Sequence, residues 1–347
     1  MKVALATVQV PFIAGGAEIL SASLQRELRA RGHEAEIVTI PFKWYPPERI
    51  LDCMLMGRLI DVTEVNGQRI DRVIALKFPA YYLDHPNKVC WLMHQHRQAY
   101  DLFETVYGDL HQTEEGRKVA AEIRRWDNVL LQKSRGIYAI SRTVTERLQR
   151  YNGIAGTPLY HPPANYERYR CAASQGYVLY PGRFDAIKRQ HLLVEAMACV
   201  KSPIRAVLIG NMSGVYGDAV QARVAELGLQ GRIECLGVVD EDRKLELYAH
   251  ALAIYNGVYD EDYGYLTLEA FFAGKPVVTH ADSGGPLEFV RHGENGFVTA
   301  PDAEEIAARL DLLYREPSLA RALGNCGRQT IDSQGICWDN VVERLLA

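Results

Sequence analysis

Apolar and polar positions alternate in blocks along the chain, and the first blocks follow the order strand, turn, helix. Residues 3–10 are almost all apolar, Gly15 and Gly16 interrupt the pattern, and leucines then recur at every fourth position from Leu20 to Leu28. A continuous apolar run is typical of a strand buried on both faces of a sheet, and a four-residue period is typical of a helix packed on one side. The first thirty residues therefore predict a βα unit of a parallel sheet.

The alternation continues to His161-Pro162-Pro163, is interrupted there, and begins again near residue 177. Before the interruption, apolar runs predict strands at 36–40, 72–76, 88–93 and 136–140. After it, they predict strands at 177–180, 205–209, 233–236, 251–255, 276–279 and 296–299. Strands that alternate with helical segments predict parallel sheets. We expect two doubly wound α/β domains, residues 1–168 and 169–335, with a helix in 336–347 that completes the first.

The composition is that of a globular protein without a general affinity for nucleic acid. The chain has 347 residues, which suits two domains, and its formal net charge is -4. Seven cysteines without a Cys-x-x-Cys pair predict buried, reduced thiols in a cytoplasmic protein. Gln9 and Pro11 interrupt the first apolar run, so we do not interpret it as a signal peptide. No stretch approaches the ~18 apolar residues of a membrane span.

Glu261 and Glu269 lie on either side of a predicted turn from strand to helix. The preceding strand ends in an Asn-Gly turn and a helical pattern follows within ten residues, so Glu261 falls in the loop and Glu269 in the first turns of the helix. In a parallel sheet this loop lies at the carboxyl end of the strand, where ligands bind. The N–H groups around Gly264 and Tyr265 suit a phosphate. One glutamate could bind a sugar and the other a ribose.

Two basic residues are expected at the same edge of the second sheet. Arg183 and Lys188 follow the strand at 177–180 and precede a helix. A planar guanidinium and a mobile ammonium suit a diphosphate, although each could also be a solvated residue at a helix start. Gly210 ends a neighbouring strand, where a missing side chain would let the backbone approach a ligand. Together these residues predict a pocket for an anion and for hydroxyl groups.

Five motifs in the second half occur in the order and spacing of a known family. They are Gly182-Arg-x4-Lys188, Glu261-x7-Glu269, Gly274-Lys-Pro-Val-Val, Ser283-Gly-Gly with Glu288, and Asn295-Gly-Phe-Val. This half resembles the nucleotide-sugar domain of retaining glycosyltransferases of family 4, which have the GT-B fold. The first half is similar more loosely, through Gly15-Gly16 and His94. The resemblance implies two Rossmann-like domains facing an interdomain cleft, the first on the acceptor side.

The resemblance also implies a role for each matching residue. Glu269 would bind the ribose hydroxyls and Glu261 the sugar, and the basic pair would hold the diphosphate, whose charge grows as the glycosidic bond breaks. His94 would face the sugar from the other domain. The expected catalytic residues are His94, Glu261, Arg183 and Lys188. The expected donor-binding residues are Gly15, Gly16, Arg183, Lys188, Gly210, Glu261, Tyr263, Gly264, Tyr265, Leu266 and Glu269.

Some details of the site stay open in the sequence. His96 competes with His94 for the histidine position, and we prefer His94 because it follows its strand directly. The family's usual Glu-Gly-Phe-Gly is Glu261-Asp-Tyr-Gly here, so Asp262 adds negative charge near a diphosphate. No metal or other cofactor is expected, because the basic pair already supplies positive charge. Gly15-Gly16 does not complete the Gly-x-Gly-x-x-Gly pattern of nicotinamide and flavin enzymes.

The segment from Phe42 to Met56 is too apolar for an ordinary loop. Its aromatic residues precede two prolines, and Leu51, Met54 and Leu55 follow. A helix packed in the core is the default interpretation. The alternative is a surface that faces the acceptor or touches a membrane, which would suit a lipid-linked sugar.

The leading interpretation is an enzyme. We expect a retaining, metal-independent transferase that moves a hexose from a UDP- or GDP-sugar to a hydroxyl of a glycan or lipid-linked acceptor, in bacterial surface polysaccharide or glycoconjugate synthesis. It would be cytoplasmic, with possible peripheral contact at the inner face of the plasma membrane. The alternative is a catalytically silent subunit of the same fold that binds a nucleotide sugar or a partner enzyme. The sequence does not name the base, the sugar, the acceptor or the oligomeric state.

Overall fold

The computed structural model describes residues 1–12 and 15–347. The chain divides into two compact units, each with its own sheet. Unit 1 contains Met1–Ala164 and Cys337–Ala347, and unit 2 contains Asn165–Ile336. The expected division was 1–168 with 336–347 against 169–335.

Unit 1 is built on a six-stranded parallel sheet with the strand order β2-β1-β5-β6-β7-β8. Its strands are β1 (Lys2–Gln9), β2 (Glu34–Pro41), β5 (Arg72–Ala75), β6 (Lys88–Leu92), β7 (Gly136–Ala139) and β8 (Thr157–Pro158). A small antiparallel hairpin, β3 (Glu64–Val65) and β4 (Gln68–Arg69), stands apart from this sheet. The central strands β5 and β6 are buried along their whole length, as expected for strands covered on both faces.

The helices of unit 1 follow the predicted alternation with the strands. They are α1 (Gly16–Ala30), α2 (Arg49–Leu59), α3 (Glu114–Leu130) and α4 (Arg142–Asn152), and the last helix of the chain, α11 (Trp338–Leu346), also belongs to this unit. Ser141 caps α4, because its side chain accepts a hydrogen bond from the Val144 N–H. Arg72 binds the end of α11 by donating to the carbonyl oxygen of Leu345 at 2.9 Å.

Unit 2 has a second six-stranded parallel sheet with the order β11-β10-β9-β12-β13-β14. Its strands are β9 (Tyr177–Pro181), β10 (Arg205–Ile209), β11 (Ile233–Gly237), β12 (Ala253–Asn256), β13 (Val277–His280) and β14 (Gly296–Thr299). Its helices are α5 (Gln190–Cys199), α6 (Val215–Glu226), α7 (Glu241–His250), α8 (Tyr265–Phe272), α9 (Ala303–Arg315) and α10 (Pro317–Ser333). The prediction of two doubly wound α/β domains is confirmed.

The strand order of unit 2 determines where a ligand can bind. β9 lies between β10 and β12, so the chain leaves β9 towards one side of the sheet and later returns on the other. Connections that diverge in this way open a crevice at the carboxyl ends of the strands. The segments after β9, β10 and β12 carry the predicted site residues, and this topology brings them to one edge.

Two expectations about side-chain burial are wrong. On α2, Met54 is buried as expected, but Leu51, Leu55 and Met56 are exposed. Only one side of this helix packs on the sheet, and the apolar residues of α2 extend around to the other side. The seven cysteines are free, but only Cys53 and Cys90 are buried; the four exposed ones are Cys171, Cys199, Cys326 and Cys337. Cys199, Cys326 and Cys337 lie in or next to helices, and they are exposed although apolar residues are close to them in the sequence.

Candidate functional site

The ends of β9 and β10 approach each other through two glycines. Gly182 follows β9, and Gly210 follows β10 with a φ of 133°, a conformation that residues with side chains rarely adopt. A Cβ atom on Gly210 would lie 2.2 Å from the Gly182 carbonyl oxygen. The expected close approach at Gly210 is therefore made to the loop that carries Arg183. A role for Gly210 in binding the donor stays a prediction.

Lys188 and Glu261 form an ion pair at this edge of the sheet. Lys188 ends a short 3-10 turn, Ala186–Lys188, which Asp185 caps by accepting a hydrogen bond from the Ile187 N–H. The ammonium of Lys188 contacts the carboxylate of Glu261, and about a quarter of each side chain is exposed, 24% and 25%. Two residues that are 73 positions apart in the sequence thus meet at a partly exposed place on this edge of the sheet. An anion and a hydroxyl group could both reach them there.

The Ser283-Gly-Gly motif holds the backbone of Glu261. The Glu261 N–H donates to the Ser283 carbonyl oxygen at 2.8 Å, and the Glu261 carbonyl oxygen accepts from the Gly285 N–H at 2.7 Å. Gly284 has a φ of 69°, and a Cβ atom at this position would lie 2.7 Å from the Glu261 carbonyl oxygen. Gly284 is therefore needed for the close pairing of the two loops. The motif acts on the site by fixing the loop that carries a glutamate.

Glu269 lies in α8 and has three neighbours that the sequence analysis missed. The Tyr248 hydroxyl donates to its carboxylate at 2.5 Å, and the Lys244 ammonium lies 3.4 Å away. Burial and the charge of Glu269 raise the pKa of the nearby Tyr169 hydroxyl above its ordinary value. Burial alone would lower the pKa of Lys244, but the charges of Glu269 and Glu241 raise it overall. Lys244 and Tyr248 are four residues apart on α7, a spacing that could have indicated a shared face.

The segment between the two glutamates is mostly packed inside unit 2. Tyr263 is 1% exposed and its ring contacts those of Tyr265 and Phe289. Leu266 packs against the hydrophobic core. Burial, followed by the charges of Glu261 and Glu269, raises the pKa of the Tyr265 hydroxyl. Any contact of Tyr263 with a donor is therefore expected to use its backbone.

A closely packed glycine precedes α8, and a role of this helix end in binding phosphate stays a prediction. Gly264 precedes the helix with a φ of 88°, and a Cβ atom there would lie 2.9 Å from the Pro286 ring. The N–H groups in the first turn of a helix have no acceptor within the helix itself. Asp262, which we expected to add negative charge near a diphosphate, is 9% exposed and therefore buried.

Arg183, the other basic residue of the predicted site, does not join the ion pair of Lys188 and Glu261. Its guanidinium lies 3.3 Å from Asp185, and 67% of its side chain is exposed. It follows Gly182 at the same edge of the sheet as Lys188. A role in holding a diphosphate stays a prediction.

The predicted residues of unit 1 lie at the ends of its strands. His94 follows β6, and its Nδ1 is hydrogen-bonded to the Gln95 carbonyl oxygen at 2.5 Å. The His96 ring packs against Phe42 and Phe78, and burial, with the charges of His94 and Lys77, lowers the pKa of His96 to about 3. His96 is therefore a packed, neutral histidine, and we retain His94 as the candidate.

The glycines of unit 1 form the beginning of α1. Gly15 precedes the helix and Gly16 is its first residue. The Gly15 N–H donates to the Glu18 carboxylate at 2.8 Å, so a side chain of the same helix already binds this group. A contact of Gly15 or Gly16 with the donor or acceptor stays a prediction.

The described residues contain neither a metal-binding cluster nor a membrane-spanning helix. Within residues 1–12 and 15–347, no three His, Cys, Asp or Glu side chains are grouped so that they could hold a metal ion. In the same part of the chain, no helix has the length and apolar character needed to cross a bilayer.

Each unit of the chain contains a doubly wound parallel sheet, and two such domains in one chain are the architecture of the GT-B fold. Residues 167–330 match the model of the family described as glycosyl transferases group 1. The match covers nearly the whole of unit 2, including every residue of the candidate donor site described above in that unit.

Individual proteins agree with this assignment. The chain is 28% identical to a putative glycosyltransferase, EpsD, from Bacillus subtilis over 193 residues, which are 53% of this chain and 50% of that protein. Among solved structures, sucrose-phosphate synthase from Thermosynechococcus elongatus has a TM-score of 0.81 at 18% identity, covering 99% of this chain and 97% of the other. Anabaena HepE in complex with UDP-glucose has a TM-score of 0.71 at 18% identity, covering 100% and 98%. These two likenesses establish the fold.

Proposed function

We propose that the protein is a retaining glycosyltransferase that moves a hexose from a nucleoside diphosphate sugar to a hydroxyl group of a glycan or lipid-linked acceptor. The observation that carries the proposal is the pair of Lys188 and Glu261 at the switch point of the second sheet. A diphosphate needs a cation that can leave its partner, and a sugar needs a carboxylate that can accept hydroxyl hydrogen bonds. Lys188 supplies such a cation and Glu261 such a carboxylate, and the two side chains are in contact.

In the proposed reaction, the bond between the anomeric carbon and the leaving phosphate oxygen breaks as the bond to the acceptor oxygen forms on the same face. The acceptor proton passes to the departing phosphate oxygen, so no side-chain nucleophile is needed. Lys188 and Arg183 would stabilise the charge that develops on the diphosphate. Because these cations could supply the stabilisation that a divalent ion gives elsewhere, we propose that turnover does not require a metal.

Glu269 is proposed to bind the ribose. Its carboxylate is held by Tyr248 and Lys244, which fixes its position before a ligand arrives. A carboxylate that accepts two hydroxyl donors suits the vicinal hydroxyls of a ribose. UDP-sugars are the first donors to test, because the structurally similar HepE was solved with UDP-glucose.

A screen of nucleoside diphosphates and their sugars by thermal unfolding tests the donor class. A ligand that binds only the native state raises the melting temperature, by an amount equivalent to about 2.7 kcal/mol when its concentration is 100 times Kd. We expect one nucleoside diphosphate to stabilise the protein while the free nucleoside does not. If no nucleotide has an effect, the proposal is wrong.

Product formation separates the enzyme from a silent binding subunit. The stabilising donor is incubated with the protein, in EDTA and with a panel of glycan and polyprenyl-linked acceptors, and release of the nucleoside diphosphate is followed. We expect acceptor-dependent release with retention of the anomeric configuration. Tight donor binding without turnover on any acceptor would favour the silent subunit, and turnover that EDTA abolishes would contradict metal independence.

We also propose that an apolar stripe on α2 contacts the inner face of the bacterial plasma membrane, where surface-glycan acceptors are assembled on lipid carriers. The stripe consists of Leu51, Leu55 and Leu59, spaced four residues apart; Leu55 is 59% and Leu59 is 72% exposed. Apolar residues on one exposed side of a helix favour insertion into a bilayer surface. Neighbouring Trp44 is also exposed, as expected at such an interface.

Cosedimentation with phosphatidylethanolamine and phosphatidylglycerol vesicles tests the stripe. The variant Leu55→Glu/Leu59→Glu is expected to bind at least about 10-fold less, since two apolar side chains are lost from the bilayer. Val106→Glu is the control, because Val106 is exposed in the same unit but lies outside α2. Equal vesicle binding by all three proteins would refute the membrane contact.

A further inference from the structure

Arg189 is a buried cation directly after Lys188. It lies between the turn Ala186–Lys188 and α5, and it is 6% exposed. Its φ of 56° places it in the left-handed region, which residues with side chains seldom adopt. A buried charge is costly unless it is paired, and a left-handed residue is retained only where its surroundings hold it. The partners of this side chain should therefore explain its position.

The guanidinium of Arg189 joins three segments. Its Nε donates to the Gly257 carbonyl oxygen at 2.7 Å and its Nη2 to the Val258 carbonyl oxygen at 2.9 Å. Its Nη1 and Nη2 donate to the two carboxylate oxygens of Asp282 at 2.8 and 2.7 Å. Such a bidentate pair fixes orientation as well as distance. The start of α5, the loop after β12 and the turn after β13 are thereby held together.

The three joined segments carry the charged pair of the donor site. The residue before Lys188 accepts a hydrogen bond from the Tyr259 N–H at 2.8 Å. The residue before Glu261 donates its N–H to the Asp282 carbonyl oxygen, also at 2.8 Å. Each member of the ion pair is thus one residue away from a backbone contact that the Arg189 guanidinium stabilises.

Two titratable groups near the Arg189 guanidinium, Asp282 and His280, both have lowered pKa values. Burial raises the pKa of the Asp282 carboxyl, but the hydrogen bonds and charge of Arg189 outweigh burial, and the pKa lies below its ordinary value. Burial, followed by the charge of Arg189, lowers the pKa of His280 to about 4. His280 is therefore neutral at pH 7 and does not compete with Arg189 for Asp282.

We propose that Arg189 is a positioning residue of the donor site, which holds the turn carrying Lys188 against the loop carrying Glu261. The proposal deepens the proposed function and rests on it, because the ligand served by the pair is the donor diphosphate. Lysine at this position would keep the charge but could not form the planar fork to Asp282 while also reaching the two carbonyl groups. Arg189→Lys is therefore the most informative variant.

The first test needs no ligand. Lysine amines are labelled with a trace of acetic anhydride and each site is measured by peptide mass spectrometry. In Arg189→Lys we expect labelling of Lys188 to rise about 3-fold or more, as its partly exposed ion pair with Glu261 is released. Lys201 serves as the internal reference, and Arg223→Lys is the control, because Arg223 makes a similar bidentate pair with Glu195. Unchanged labelling of Lys188 would overturn the proposal.

The second test measures affinity for the nucleoside diphosphate found in the thermal screen. We expect Arg189→Lys and Lys188→Ala each to weaken binding about 10-fold, and the double variant to bind no more weakly than Lys188→Ala, because both changes remove the same interaction. Independent effects that multiply to about 100-fold would show that Arg189 does not act through Lys188. A uniform structural defect would not give this dependence.

A second variant covers a failure of Arg189→Lys to fold, and the two tests together distinguish a failure of the positioning role from a failure of the proposed function. If Arg189→Lys does not fold, Asp282→Asn weakens the same fork from its other end and is expected to raise Lys188 labelling in the same way. If the wild-type protein binds no nucleoside diphosphate but Lys188 labelling still responds to Arg189→Lys, the proposed function fails while the positioning role stands. Binding that is normal in Arg189→Lys, with unchanged labelling, refutes the positioning role alone.

Discussion

Replacing Glu261 with glutamine is expected to move nucleoside diphosphate binding and sugar transfer in opposite directions. The Glu261 carboxylate is paired with the Lys188 ammonium, and both side chains are about a quarter exposed, 24% and 25%. A diphosphate must separate this pair and also approach a carboxylate of its own sign. Glu261→Gln removes the charge but keeps the shape, so both costs are reduced.

The size of each effect follows from the exposure of the pair. A partly exposed ion pair is worth about 0.2–1 kcal/mol, so release of Lys188 should tighten nucleoside diphosphate binding by about 1.4- to 5-fold. The sugar instead loses charge-assisted hydrogen bonds worth about 1.5–3 kcal/mol, so turnover of the sugar donor should fall about 10- to 100-fold.

Titration calorimetry with the nucleoside diphosphate and steady-state kinetics with its sugar measure the two quantities. Glu195→Gln is a matched control, since Glu195 lies on α5 and also pairs with a basic residue, but with Arg223 and not with Lys188. The reasoning is refuted if Glu261→Gln weakens nucleoside diphosphate binding, or if it leaves sugar transfer at the wild-type rate.

Three further outcomes are expected. Gly210→Ala should lower the free energy of unfolding by about 2–4 kcal/mol in urea titrations, because its Cβ would lie 2.2 Å from the Gly182 oxygen; wild-type stability would contradict this. Tyr248→Phe should weaken nucleoside diphosphate binding about 5-fold in calorimetry, because Glu269 loses a hydroxyl donor, and an unchanged affinity would count against the ribose role. Burial raises the pKa of Asp127 to about 7 despite hydroxyl hydrogen bonds that lower it, so the native state holds a proton that the unfolded chain loses near pH 4. As the pH rises from about 4 to 7, the free energy of unfolding of unit 1, followed by tryptophan fluorescence, should therefore fall by about 1.4 kcal/mol per pH unit relative to that of Asp127→Asn. A difference between the two proteins that does not change with pH would contradict this prediction.

The sequence predicted the fold and the meeting of Lys188 with Glu261 because both follow from strand order. Continuous apolar runs indicated parallel strands, and the carboxyl ends of parallel strands lie at one edge. The motif at Ser283 was noticed, but its effect could not be assigned, because it acts through backbone hydrogen bonds between two loops.

Other parts of the site depend on individual side-chain contacts, which the spacing of apolar residues in the sequence does not indicate. Arg189 was not among the predicted site residues, and its left-handed backbone and its partners are visible only in the structure. The hydrogen bond from Tyr248 to Glu269 crosses from one helix to another. On α2 the composition predicted a core helix, whereas the structure buries one side and exposes Leu55. Hydrophobicity alone does not state how wide the packed side of a helix is.

Hydrogen–deuterium exchange of the full chain, with and without the nucleoside diphosphate that stabilises it, tests the central claim most directly. If the ligand binds at the carboxyl edge of the second sheet, amide protection should appear in the segments 182–190 and 257–269, which carry Lys188, Glu261 and Glu269. Protection confined to other segments, with these two unchanged at saturating ligand, would contradict the assignment of the donor site.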